Sequence, residues 1–214
     1  MLPYTAETLF ASFGQYNAAL WPLPLVALLL ALAAILLTLR PVPGASRIVA
    51  AILAAGWLWT GIGYHMLHFA RFDFVAPVYG ALFVLEGLLL LWAASRGRPS
   101  FRFDGGPPGR AGLALALIAL AWPLVDRLFG QPWIAERIAG LAPAPTVVLT
   151  FGMLLLASGR TPIHLAIIPL AWTLVAGATA WILWIPQDLP LPVVGAIGFG
   201  LILWKRWRYA AERG

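Results

Sequence analysis

The chain has 214 residues, of which 62% are apolar and 10% are charged, and it contains no cysteine. Soluble globular proteins carry about 25% charged residues, so this composition excludes an ordinary water-soluble domain. The absence of cysteine also excludes thiolate metal sites, iron–sulfur clusters and disulfides. The formal net charge of +6 is expected to come from basic cytoplasmic loops rather than from nucleic-acid binding.

Residues 1–19 lack the basic start of a secretory signal and are predicted to lie at the membrane interface. Thr5 is placed to cap a short helix that has Glu7 in its first turn. Apolar runs of about 20 residues follow, which is the length of a helix that crosses a bilayer. Residues 20–204 are predicted to form a transmembrane domain of seven spans: Leu20–Leu39, Ile48–Ala70, Phe74–Ala94, Ala111–Val125, Thr146–Ser158, Pro162–Trp184 and Leu191–Trp204.

The basic residues predict how these spans are oriented, and residues 205–214 are expected to be a basic cytoplasmic tail. With the N-terminus outside, alternating loops place eleven basic residues in the cytoplasm: Arg40, Arg47, Arg96, Arg98, Arg102, Arg110, Arg160, Lys205, Arg206, Arg208 and Arg213. Only Arg71, Arg127 and Arg137 remain outside. This split follows the positive-inside rule and predicts an all-α integral membrane bundle with an outer N-terminus and a cytoplasmic C-terminus.

The second predicted span carries two of the three histidines, within WLWTGIGYHMLHFARFD. On an α-helix, Tyr64, His65 and His68 share one face with Trp57 and Gly61, because residues three and four apart are neighbours. Imidazoles and a phenol on an apolar helix require polar partners from other helices. Two interpretations stay open: these groups hydrogen-bond within the bundle, or they line a site.

The predicted topology places several polar groups at the outer side. His65 and His68 lie near the outer end of their span, level with four acidic residues: Asp73, Asp126, Glu136 and Asp188. Imidazole and carboxylate together suit a divalent cation such as zinc, so His65 and His68 are candidate metal ligands. His164 lies roughly 20 Å or more away at the inner side, by the helical rise per residue. A haem with one histidine ligand stays possible, and so does an ordinary set of loop charges.

Glu86 is the only acidic residue in the middle of a predicted span. A charged carboxylate at that depth costs about 2.5–3.5 kcal/mol on insertion scales, so such residues are usually paired or functional. We expect it to hydrogen-bond with one of three threonines at similar depth: Thr60, Thr150 and Thr173. It is then either a structural polar link, or a proton carrier or cation ligand.

Five runs of the sequence resemble one bacterial family of multispanning membrane proteins: YNAALWPLPLV, GWLWTGIGYHMLHFARFD, PAPTVVLTFGMLLL, IPLAWTLVAGATAWIL and PQDLPL. The family is known as domain of unknown function 6064, and the resemblance extends over nearly the whole chain. This chain has Gln187 where the family pattern has an acidic residue, and it lacks the cysteine of the PAPTVV run. The resemblance implies a bacterial inner-membrane location and a multispanning fold, and it implies no reaction.

The loops are short, so any site is expected within the bundle or at its mouths. We expect a site that opens outward and binds or transports a small solute or cation, with six candidate residues: Tyr64, His65, His68, Glu86, Asp126 and Asp188. One alternative is a metal- or haem-dependent enzyme at the outer leaflet. The other is a non-catalytic membrane subunit. The lipid bilayer is the expected partner, and nucleic acid is not.

Overall fold

A computed structural model describes residues 2–40, 42–159 and 161–211. These residues form nine α-helices: α1 (Ala6–Ala19), α2 (Leu23–Leu39), α3 (Ala45–Trp59), α4 (Ala76–Ser95), α5 (Pro107–Leu120), α6 (Trp122–Leu128), α7 (Pro143–Leu156), α8 (His164–Leu183) and α9 (Leu191–Ala211). Two-residue strands, β1 (Ser100–Phe101) and β2 (Ala157–Ser158), pair antiparallel. The prediction of an all-α fold is confirmed. Parts of the predicted domains and loops lie outside the described residues: Met1, Pro41, Arg160 and residues 212–214 with Arg213.

Four helical stretches are long and apolar enough to cross a membrane: Ala45–Arg71, Ala76–Ser95, His164–Leu183 and Pro186–Ala211. Two bent pairs, α1 with α2 and α5 with α6, raise the number to six if each pair is one span. Many large apolar side chains on these helices are exposed, for example Leu29 and Leu174. Contiguous apolar surface of this kind is typical of a membrane protein. The described residues therefore support four to six spans, where the sequence predicts seven.

The difference arises at the fifth predicted span, which is the short helix α7. All 14 residues of α7 are buried, and α5, α8 and α9 pack around it. Because protein rather than lipid surrounds it, α7 does not need the length that a bilayer requires. Its C-terminal end is closed by the Lys205 ammonium, which donates to the carbonyl oxygens of Leu155 (2.8 Å) and Ala157.

The helix α1 lies across one end of the bundle, because the chain bends by 92° between α1 and α2. The hydroxyl of Thr5 accepts from the backbone N–H of Thr8 at 3.2 Å, which is the predicted helix cap. Asn17 then fixes the other end of α1, donating to the carbonyl oxygens of Ile134 (2.9 Å) and Glu136 (2.8 Å). These bonds join α1 to the loop between α6 and α7.

Helices α3 and α4 are antiparallel neighbours, as the short linker between the second and third predicted spans requires. Their backbones approach closely at glycines, since a Cβ on Gly61 would lie 2.8 Å from the carbonyl oxygen of Gly80. Beyond Trp59, α3 continues as a π-helical segment, Thr60–His68. This π-helical segment departs from the predicted α-helix and determines where the two histidines point.

Candidate functional site

The π-helical segment separates the two histidines that an α-helix would place on one face. A π-helix has more residues per turn, so side chains three residues apart lie farther apart around its axis. His68 packs toward α1, where its Nε2 lies 3.0 Å from the carbonyl oxygen of Ser12. His65 packs instead toward α4 and α8. The predicted shared face is therefore wrong for His65 and His68, whereas Tyr64 remains next to both imidazoles.

Four aromatic rings surround the imidazole of His65. The centroid of its imidazole lies 5.2 Å from the ring of Tyr64, 4.9 Å from Phe83 and 5.1 Å from Trp172. The ring of Tyr79 lies 6.0 Å away. His65 is only 1% exposed, and within the described part of the chain neither ring nitrogen has a hydrogen-bond partner. A buried imidazole with both nitrogens unpartnered is costly unless a ligand or water reaches it.

A cavity of about 60 Å³ adjoins this imidazole. Apart from aromatic side chains, its polar lining comes from His65, Arg137, Thr179 and Asp188. Six aromatic residues form much of the rest: Tyr4, Phe13, Tyr64, Phe69, Tyr79 and Trp172. We call this space the aromatic cavity. A larger cavity of about 140 Å³ between α2, α3 and α7 has an almost wholly apolar lining, so it offers little chemistry.

One wall of the aromatic cavity belongs to a buried ionic triad. Arg137 Nη2 lies 2.5 Å from Asp126 Oδ1, and Arg137 Nη1 lies 2.5 Å from Asp188 Oδ2. The backbone N–H of Arg137 also donates to Asp126 Oδ2 at 2.9 Å. Counted formally, with both carboxylates ionised, two carboxylates and one guanidinium give the triad one net negative charge. The second oxygen of Asp188, Oδ1, is buried and has no partner among residues 2–40, 42–159 and 161–211.

The charge on Arg137 is stabilised by its neighbours. Burial by itself would lower the pKa of Arg137, but the carboxylates of Asp188 and Asp126 outweigh it and raise this pKa above its ordinary value. The guanidinium also lies over two aromatic rings, 5.2 Å from the centroid of Phe10 and 5.7 Å from that of Trp122. Arg137 therefore stays charged and holds Asp126 and Asp188 together.

Glu136 lies next to the triad and outside the candidate spans. Burial raises the pKa of Glu136 to about 7, and the nearby Asp126 carboxylate adds to this rise. The ordinary value is 4.5. Between these two pH values the folded protein holds a proton that the unfolded chain releases, so stability falls as pH rises through this window.

We expect Glu136→Gln to flatten this pH dependence, because glutamine cannot ionise. Thermal unfolding midpoints of the detergent-solubilised protein, measured from pH 5 to pH 8, would show it. Between pH 5 and about pH 7 the wild type should lose stability more steeply than the variant, and above that window the two slopes should agree. Glu7→Gln, which changes an exposed acid on α1, serves as the control and should keep the wild-type slope. Parallel curves for wild type and Glu136→Gln would contradict the assignment.

Glu86 lies apart from this site. It is buried in α4, does not line the aromatic cavity, and neither carboxylate oxygen has a partner in the described residues. The predicted threonine hydrogen bonds are wrong. Thr150 accepts from Trp57 Nε1 and donates to the carbonyl of Thr146. Thr173 donates to the carbonyl of Leu170 instead.

The predicted metal site finds no geometric support. Across the described ranges, no three histidine, aspartate or glutamate side chains come together in a way that could hold a metal ion. His65 and His68 face different helices, and no third ligand joins them. Of the predicted residues, the structure brings Tyr64, His65 and Asp188 to one cavity, with Asp126 behind Arg137. His68 and Glu86 lie elsewhere.

Arg137 lines the aromatic cavity but is not among the site residues predicted from the sequence. The sequence predicts it only as one of three basic residues in the outer loops. The pair Glu136-Arg137 in an otherwise apolar segment, WIAERIAG, is nevertheless a signal of a buried ionic group. Tyr79 and Trp172 were also missed, because aromatic residues are common throughout the spans. Gln187 Nε2 lies 3.5 Å from Asp126 Oδ1, so the Gln187 side chain adjoins the triad.

The fold defines the class: an all-helical protein with four to six stretches that are long and apolar enough to cross a membrane. Residues 6–213 match the model described as "Family of unknown function (DUF6064)". The chain belongs to this family, which confirms the resemblance noted in its sequence. No match was found among curated proteins or among solved structures.

Proposed function

We propose that the protein binds a small ammonium-type cation in the aromatic cavity and carries it across the membrane. The observation that supports this most strongly is Asp188 Oδ1, a buried carboxylate oxygen that has no partner among the described residues and belongs to a residue lining a cavity of aromatic rings. A cation with N–H groups would satisfy this oxygen through a charge-assisted hydrogen bond. The rings of Tyr79 and Trp172 would attract the same charge through cation–π interaction.

The charges around the cavity favour a cation over an anion. Each side-chain nitrogen of Arg137 already donates to Asp126 or Asp188, so the guanidinium has little left to offer an anion. The triad as a whole is negative by one charge. His65 adds a neutral donor or acceptor, since an uncharged imidazole has one nitrogen of each kind.

The size of the cavity limits the ligand. A space of roughly 10–15 Å³ on this measure holds one water molecule, so about 60 Å³ accommodates only a few groups of that size. Ammonium and methylammonium fit this limit. Larger amines require the cavity to open toward Tyr4, which lies at its rim and is partly exposed.

We further propose that α7 completes a bundle of seven membrane helices with the N-terminus outside, so that the aromatic cavity lies near the outer side. Three helices support this arrangement. α3 has Arg47 in its first turn and leads through the π-helical segment to His65. α4 has Tyr79 in its first turn and is followed directly by Arg96, and α8 ends two residues before Ile185, which lines the cavity. The arginine-rich end and the cavity end are therefore opposite, as the positive-inside rule expects.

A reporter that is active only in the cytoplasm tests this orientation. Fused after Gly214, it should give full signal, and fused before the first residue it should give none. The reverse pattern would place the aromatic cavity at the inner side and contradict the proposed outward opening.

Binding of radiolabelled methylammonium to the purified full chain tests the proposed ligand. Asp188→Asn should weaken binding by tenfold or more, because the amide removes the charge and presents a donor where the ligand needs an acceptor. Trp172→Leu should weaken it several-fold, in line with cation–π energies of about 0.5–2 kcal/mol. Equilibrium dialysis in detergent at fixed pH would measure both.

The matched control is Trp181→Leu, a change of the same kind on the same helix at a residue that is 70% exposed. It should bind methylammonium like the wild type. Circular dichroism and gel filtration would show that each variant is folded. Equal affinity in all three variants, or no saturable binding in the wild type, would contradict the proposal and favour a non-catalytic subunit.

A further inference from the structure

A second polar groove, of about 400 Å³, lies at the opposite end of the bundle between α4 and the start of α8. Its walls carry Arg96, Arg98, Arg206 and His164, with Trp92 at one side. We propose that this basic groove binds the phosphate group of an anionic lipid headgroup. The proposal does not depend on the ligand of the aromatic cavity.

Arg96 and Arg98 give the basic groove its exposed positive charge. Arg96 and Arg98 are exposed, and no carboxylate in the described ranges forms an ion pair with either of them. The guanidinium of Arg96 lies over the ring of Trp92, 5.2 Å from its centroid. This contact holds one positive charge at the wall of the groove. Clustered arginines beside a membrane helix attract phosphate groups, and a guanidinium fork matches their oxygens.

The start of α8 adds uncharged donors to the same groove. In the described residues no side chain caps this helix, which begins at His164. The N–H of Ala166 donates to the carbonyl oxygen of Ile163, and the N–H groups before it in the first turn have no side-chain cap. Such groups, with the positive end of the helix dipole, favour a bound phosphate. His164 Nε2 is also buried, and it has no hydrogen-bond partner in the described part of the chain. The basic groove is thus lined by arginines, by the start of α8 and by the imidazole of His164.

The surroundings favour a lipid over a soluble phosphate. Trp92 is 50% exposed, and a half-exposed tryptophan at the end of a span is typical of the headgroup level of a bilayer. Leu88 and Leu91, on the same helix, are exposed and apolar, so they provide a surface for acyl chains. Basic pockets between membrane helices are known sites for anionic headgroups.

The test is a lipid titration of the delipidated full chain in neutral detergent, followed by native mass spectrometry. Wild type should retain one phosphatidylglycerol at concentrations where phosphatidylcholine is not retained. Arg96→Gln combined with Arg98→Gln should weaken phosphatidylglycerol binding by roughly ten- to thirtyfold, given the usual contribution of each basic residue near an anionic membrane.

Arg47→Gln combined with Arg102→Gln is the matched control, since it removes two exposed arginines of the same predicted side that do not line the groove. It should bind like the wild type. Equal losses in both double variants, or no preference for phosphatidylglycerol over phosphatidylcholine, would overturn the proposal.

Inorganic phosphate in a parallel titration distinguishes the two sources of a phosphate group. Failure of millimolar phosphate to displace phosphatidylglycerol supports a headgroup held by both its phosphate and its acyl chains. Saturable binding of phosphate that depends on Arg96 and Arg98, without retention of lipid, would overturn the lipid assignment.

Discussion

Replacing Arg137 by methionine is expected to lower the free energy of unfolding by about 3–5 kcal/mol, the usual cost of removing one partner from a buried ion pair. Methionine keeps much of the side-chain volume but leaves Asp126 and Asp188 buried without a counter-charge. The backbone bond from residue 137 to Asp126 remains, so the loss comes from the guanidinium alone. Denaturant unfolding in detergent, followed by circular dichroism, would measure the change.

Arg127→Met is the matched control for this prediction. Arg127 is an exposed arginine ten residues earlier. Its guanidinium donates to the carbonyl oxygen of Gln131 at 3.3 Å and lies over the ring of Trp133. Its loss should cost less than about 1 kcal/mol. A triple variant with Arg137→Met, Asp126→Asn and Asp188→Asn should recover part of the stability. A single variant at position 137 as stable as the control would contradict the buried triad.

Gly152→Ala is expected to destabilise the protein by about 1–3 kcal/mol or more, because it overpacks the contact between α5 and α7. A Cβ at this position would lie 2.6 Å from the backbone nitrogen of Ala116 and 2.7 Å from the carbonyl oxygen of Gly112. Backbone atoms cannot move aside as a flexible side chain can, so the two helices must separate. Since α7 is the central helix, the disturbance reaches the core of the bundle.

Gly200→Ala provides the comparison, because a Cβ there meets no atom within 4 Å. Gly200 lies inside α9, where alanine favours the helix by up to about 1 kcal/mol. The two variants make the same chemical change with opposite expected signs. Unfolding midpoints in detergent would measure both. A Gly152→Ala protein as stable as the wild type would show that α5 and α7 are not packed backbone to backbone.

The sequence predicts where helices lie along the chain better than it predicts whether protein or lipid surrounds them. Apolar runs mark α4 and α8 correctly, and Thr5 marks the start of α1, because hydropathy and capping are local properties. Hydropathy does not distinguish lipid from protein interior, so it cannot show that every residue of α7 is buried. The apolar pattern does not distinguish the π-helical segment from an α-helix. For that reason the sequence predicts His65 and His68 on one face.

The aromatic cavity was only partly predictable. Placing Asp126 and Asp188 at one depth follows from topology, and the structure brings both to the triad. Their link through Arg137 joins positions 11 and 51 residues apart, and no local pattern reports such distant pairing. The positive-inside rule treats each loop arginine as an orientation signal, so it gives no indication that Arg137 is buried. The burial of Arg137 depends on Asp126 and Asp188, which only the three-dimensional structure brings next to it.

The most direct test of the cation site is the distance between bound methylammonium and Asp188. Solid-state NMR would measure it in lipid, with ¹⁵N-methylammonium and protein carrying ¹³C at the aspartate carboxyl carbons. The chain has four aspartates, Asp73, Asp104, Asp126 and Asp188, and the Asp188→Asn variant identifies the signal. We predict that the nitrogen lies within about 4 Å of the Asp188 carboxylate, the distance of an ion pair. Saturable binding without dephasing at Asp188, or with the strongest dephasing at Asp73 or Asp104, would contradict it.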